Sequence, residues 1–168
     1  MKAVARVALV LVTAAVLEQG LLSVARIDGV AADVLLLVAV SAGIVGGPDL
    51  GALVGFFAGL TLDLLLPAPL GLAALAYCLS GYAVGALHGT SVRTSRWQGP
   101  TLAAAGSALG IVAYVLVARV VGRTGLWNTH LFTVVLVVAL INAVLAPLSI
   151  RLMRWALGDV VPTRPAVR

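Results

Sequence analysis

Leu131-Phe-Thr-Val-Val-Leu-Val-Val-Ala-Leu-Ile141 holds one polar residue, Thr133, in eleven positions. Val7–Val12 and Val34–Val40 are apolar throughout. A membrane β-strand would alternate apolar and polar residues over about ten positions, with its polar half facing a lumen. No such alternation occurs in these runs, so they read as helices. The rest of the chain has the same character: 168 residues, 62% hydrophobic and 10% charged, with mean hydropathy +1.15. Soluble domains carry roughly 25% charged residues, because their surfaces face water. A water-soluble fold of this composition would expose apolar patches large enough to aggregate. Lipid removes that problem if every backbone amide is satisfied within its own span. The sequence therefore describes an all-α integral membrane protein.

About 20 residues cross a bilayer and ~17 can suffice. Breaks in the apolar runs then predict six spans: Val4–Val24, Val30–Val45, Leu50–Leu66, Leu70–Leu87, Pro100–Val121 and Leu131–Trp155, with Pro147 a kink or early end of the last. Residues 1–157 form one six-helix transmembrane domain, and residues 158–168 a short, Pro-containing, disordered tail. Lys and Arg in short loops are retained on the cytoplasmic side. Six spans put Lys2, Arg6, Arg93, Arg96, Arg151, Arg154, Arg164 and Arg168 on one side, against Arg26, Arg119 and Arg123 on the other. Both termini are thus expected in the cytoplasm, in a bacterial inner membrane. The net charge of +5 is then mostly topology; a nucleic-acid partner would need a basic soluble face, and none is predicted. Ser23-Val24-Ala25 loosely resembles a signal-peptide cleavage site, but Glu18 and Gln19 interrupt the hydrophobic region, so the first span reads as uncleaved. Trp97, Trp127 and Trp155 fall near predicted membrane edges, where amphipathic rings settle.

Gly51, Gly55, Gly59 and Asp63 recur at every fourth residue, which lays them along one helix face. Small residues at this spacing let a second helix backbone approach closely. Packing within one chain is the simpler use of such a face; contact with another chain is the alternative. Gly81 and Gly85, and Gly106 and Gly110, repeat the pattern more weakly. Asp63 is costly inside a span, roughly 2.5–3.5 kcal/mol if charged, so a buried partner is expected. Arg119 is the first candidate, making a possible intramembrane ion pair. Glu18 and Asp33 fall at similar outer depth, where water or a partner could serve equally well. Asn142 reads as an interhelical hydrogen-bonder.

The segment Gly51-Ala-Leu-Val-Gly-Phe-Phe-Ala-Gly-Leu-Thr-Leu-Asp63, with Leu-Leu-Leu-Pro-Ala-Pro-Leu-Gly71-Leu-Ala-Ala-Leu-Ala-Tyr77 after it, resembles the MreD family of the bacterial rod-shape machinery. The resemblance implies a non-catalytic scaffold that binds MreC, a single-span protein, in the elongation complex. That complex joins MreB filaments to the glycosyltransferase RodA and a class B penicillin-binding transpeptidase, supporting lateral peptidoglycan synthesis and cell shape. Together with the glycine spacing, the MreD-like Asp63–Tyr77 region leads to the expectation that Gly51, Gly55, Gly59, Asp63, Tyr77, Gly81 and Gly85 form a helix-packing or partner interface, with membrane lipids around the protein.

The family is similar in fold to the substrate-binding subunits of energy-coupling-factor vitamin importers, which supplies an alternative: a small-molecule binding subunit of a transporter. Those subunits carry an Ala-x-x-x-Ala stripe on the first helix. Here Ala5 and Ala8 are followed four residues later by Leu9 and Val12, so the stripe is missing. An enzyme is disfavoured. His88 and His130 fall on opposite sides of the membrane, and no His-Glu-x-x-His, Gly-x-Ser-x-Gly or phosphate-loop motif is present. Asp33 and Asp63 could form a protease dyad in principle but lack the accompanying motifs. Cys78 is the only cysteine, which excludes an internal disulfide and gives no support to a thiolate metal site. No catalytic residue, metal or cofactor is expected.

Overall fold

A computed structural model describes residues 2–24, 33–66, 69–90, 97–122 and 130–158. They form five helices: α1 (Lys2–Val24), α2 (Val34–Leu65), α3 (Leu72–Thr90), α4 (Gln98–Val120) and α5 (His130–Leu157). All five are long and apolar enough to cross a membrane. The count is five, not the six expected. The expected second and third spans are one helical element, α2, in which Gly46-Gly47-Pro48-Asp49 is not a loop. Only Gly47 leaves helical geometry, at φ 83° and ψ −175°. Glycine reaches positive φ without a Cβ clash. Pro48 then restarts the helix at a first-turn position, where its missing N–H costs nothing.

This break reverses the chain. A Cβ placed on Gly51 would lie 2.7 Å from the Cα of Gly43, whereas eight residues of unbroken helix would separate them by about 12 Å. The two arms of α2 run antiparallel. Asp33, at the start of the first arm, hydrogen-bonds Tyr77, and Gly55, in the second arm, packs on the Tyr77–Cys78 backbone. The reversal has a consequence at the chain ends. Arg6 on α1 donates to the Trp155 carbonyl on α5 at 3.4 Å, and Gly46 at the vertex of α2 faces Leu157. Both described ends of the chain therefore sit at one end of the bundle.

The first arm of α2 is the core. Leu35, Leu36, Leu37, Val38, Ala39, Val40 and Ala42 are all buried, as expected for a helix that is apolar on every side. Helix α2 as a whole contacts all four other described helices. Large apolar side chains point outward elsewhere, among them Val16 on α1, Leu116 on α4 and Val144 on α5. That surface suits lipid. Helix α5 runs on through Pro147 to Leu157, so the early end considered there does not occur. The C-terminal tail from 159 lies outside the described residues, as do Arg26, Arg93, Arg96, Arg123 and Trp127.

Candidate functional site

Helices in lipid need their first backbone N–H groups satisfied internally, because no water is available there. The intramembrane acids meet this requirement. Asp63, near the end of the second arm of α2, accepts hydrogen bonds from Gly71 N at 2.9 Å, Ala73 N at 3.0 Å and Ala74 N at 3.2 Å. These are the amides at the start of α3, so Asp63 caps that helix from across the turn. The partial positive charge of a helix N-terminus also favours a carboxylate there. A buried partner was expected for Asp63, and the structure supplies main-chain amides in that role. Arg119 lies exposed near the end of α4; its pairing with Asp63 is a proposal for a double-mutant cycle.

Gly51, Gly55 and Gly59 fall on the same face as Asp63 and are all buried. A Cβ on Gly59 would come within 2.5 Å of Ala74 Cα, and one on Gly55 within 2.8 Å of the Tyr77 carbonyl carbon. Gly51 meets Gly81 in the same way, and Gly85 meets Pro48 N at 2.6 Å. The obstructing atoms are backbone, which cannot rotate aside. The glycine face is thus the seam between α2 and α3 inside one chain. A partner docking on that face would have to displace α3.

A second polar group joins all five helices. Asp33 caps the first arm of α2, its Oδ1 accepting from Leu36 N at 2.8 Å. Its other carboxylate oxygen accepts from the Tyr77 hydroxyl on α3. Asn142 on α5 donates from Nδ2 to the Asp33 carbonyl at 3.2 Å and to Ser107 Oγ on α4 at 2.8 Å. Glu18 on α1 accepts from Leu35 N at 3.1 Å. Ser80 adds a bond from α3 to the Gly106 carbonyl of α4 at 2.6 Å. Asn142 bonds between helices, as its place in an apolar run suggested. Sequence reasoning missed Ser107 and Ser80, and it did not connect Tyr77 with Asp33. A lone serine in an apolar helix gives no signal of its partner.

The arrangement can fix helix starts and register. Among the described residues no group of three or more His, Cys, Asp or Glu side chains could hold a metal ion. The profile of one protein family, the rod shape-determining protein MreD, matches residues 2–156. The chain belongs to the MreD family. The match reaches all five described helices, so the cap, the glycine seam and the five-helix polar cluster all lie within the MreD region. No curated protein and no solved structure matches the chain. The likeness to energy-coupling-factor substrate-binding subunits therefore has no support, and the fold stands as an all-α membrane protein with five long apolar helices among the described residues.

Proposed function

We infer that the chain serves rod-shape determination, the role its MreD family carries. We propose that the protein acts there as a non-catalytic membrane scaffold. It binds an MreC-like single-span protein and supports an elongation complex with MreB, RodA and a class B penicillin-binding transpeptidase. The family match over residues 2–156 is the observation that carries this reading. Two features support it. The intramembrane acids Glu18, Asp33 and Asp63 accept from helix-start amides, which suits a rigid frame. Apolar side chains on α1, α4 and α5 face outward, and a partner helix can pack on such a surface in place of lipid.

The inner membrane is the proposed location, with both termini in the cytoplasm. The excess of Lys and Arg on that side supports it, as does the meeting of Arg6 and Trp155 at one end of the bundle. Copurification from native membranes tests the scaffold reading: an MreC-like protein should come through at a fixed ratio, and loss of the protein should disturb elongation. Purification without such a partner, but with a stoichiometric vitamin-like ligand, would replace the scaffold reading with the transport one.

A further inference from the structure

Helices α1 and α5 do not close against each other along their length. Between them lies a groove of about 210 Å³, floored by Leu37 and Val38 of α2 and open on one side. Val10, Thr13 and Leu17 form its α1 wall, and Leu145, Leu148, Ser149 and Leu152 its α5 wall. Both walls continue in sequence to one place. Arg6 precedes Val10 by four residues and Trp155 follows Leu152 by three, so each lies on the same helix face as its wall. There Arg6 stacks over the Trp155 ring, 5.3 Å from its centroid, and donates to the Trp155 carbonyl. A cation and an interfacial tryptophan stand at the mouth of an apolar channel. The exposed Lys2, Arg151 and Arg154 sit at the same end.

One polar atom in the groove is out of place. Thr13, Thr61 and Thr101 each return their hydroxyl to a carbonyl of their own helix. The Ser149 Oγ is buried and has no hydrogen-bond partner among the described residues. It lies six residues before Trp155, about 9 Å along the helix. The polar interface of a bilayer is on the order of 5–8 Å deep on each side. With Arg6 and Trp155 at headgroup level, Ser149 stands where a lipid's ester carbonyls give way to its chains.

We infer that this groove binds one anionic glycerophospholipid, its headgroup phosphate against Arg6 and one acyl chain laid between α1 and α5. Size selects the occupant. The groove holds roughly seven methylene groups if each takes the volume of a liquid water molecule. From Val10 to Leu17 it runs about 10 Å, a length suited to the upper part of an acyl chain. A partner helix, roughly 10–12 Å across with side chains, does not fit. Charge selects the headgroup, because a phosphodiester without a compensating cation is drawn to the basic mouth.

Native mass spectrometry of the delipidated full chain, after incubation with micelles of phosphatidylglycerol or phosphatidylcholine, tests this. Wild type should retain one phosphatidylglycerol about fivefold more strongly than phosphatidylcholine, the preference expected of one interfacial Arg. Arg6→Gln should abolish the preference while still retaining phosphatidylcholine. Thr13→Phe, which fills the groove from its exposed position, should lower retention of both lipids at least fivefold, and Val12→Phe on the outward face should not. If Thr13→Phe fails to fold, Leu148→Trp fills the groove from the opposite wall. Equal retention of the two lipids by wild type would overturn the proposal, and so would wild-type retention by a folded groove-filling variant.

Discussion

Replacing Asp63 with alanine removes an acceptor that serves three amides at the start of α3. Asp63 is buried, and its bonds to Ala73 and Ala74 are buried with it, so water does not stand in for the lost oxygens. Interhelical hydrogen bonds in membranes average only about 0.6 kcal/mol when both partners can find substitutes. Three such bonds give a floor near 2 kcal/mol by that measure. A buried donor left without a partner costs roughly 1–3 kcal/mol, so two orphaned amides raise the expectation to about 3–5 kcal/mol. Asp63→Asn keeps one acceptor but turns an NH2 group toward N–H donors, and it should fall between wild type and alanine. Unfolding in a detergent–denaturant titration measures these losses. Hydrogen exchange at Gly71, Ala73 and Ala74 gives a local readout, since those amides should lose protection before the centre of α3 does. Adding Arg119→Ala to Asp63→Ala separates the main-chain cap from the ion pair. With the cap dominant, the two losses add to within about 0.5 kcal/mol. A loss under about 1 kcal/mol for Asp63→Ala would refute the orphaned-amide argument. Recovery on adding Arg119→Ala would instead establish the ion pair.

The glycine seam predicts a sharp contrast between similar substitutions. Gly55→Ala or Gly59→Ala should destabilise by about 3 kcal/mol or more, while Gly20→Ala, with open space around it, should be neutral or stabilising in the same titration. Gly47→Ala meets no neighbour, so its cost should be that of the backbone alone: φ 83° with ψ −175° is a region essentially reserved to glycine, costing about 1–3 kcal/mol. Tyr77→Phe deletes the bond to Asp33 with little change of shape, and a loss of about 1–3 kcal/mol is expected because a buried carboxylate oxygen is left without its donor. Cysteines introduced at Lys2 and Gly158 should be labelled from the same side of the membrane, and one at Gly71 from the other. Labelling of Lys2 and Gly158 from opposite sides would contradict the reversal at Gly47.

The sequence by itself determined the solvent and the secondary structure. A chain with 10% charged residues and unbroken apolar runs has one stable solution in lipid, helices whose backbone bonds close within each span. It also marked the chemistry that mattered: Asp63 and the glycines at four-residue spacing are conspicuous because both are unfavourable in an isolated apolar helix. Tertiary structure decided which partners they meet. Helix spacing shows that Gly51, Gly55 and Gly59 share a face but cannot name the helix that covers it, and the structure names α3. An acid in a span needs a donor, and local sequence suggests a cation; the amides of Gly71, Ala73 and Ala74 become available only when α3 packs back against the second arm of α2. The reversal between the expected second and third spans was legible in the break at Gly46-Gly47-Pro48-Asp49, but the form it takes was not. Gly46-Gly47-Pro48-Asp49 has the composition of a loop, yet one positive-φ glycine is enough to reverse the chain while the residues on either side keep their helical bonds. The position of Asp33 at a point where five helices meet depends on contacts as distant as Asn142. Backbone and apolar patterning act locally and can be read along the chain, whereas the partners of buried polar groups are fixed only when the helices pack.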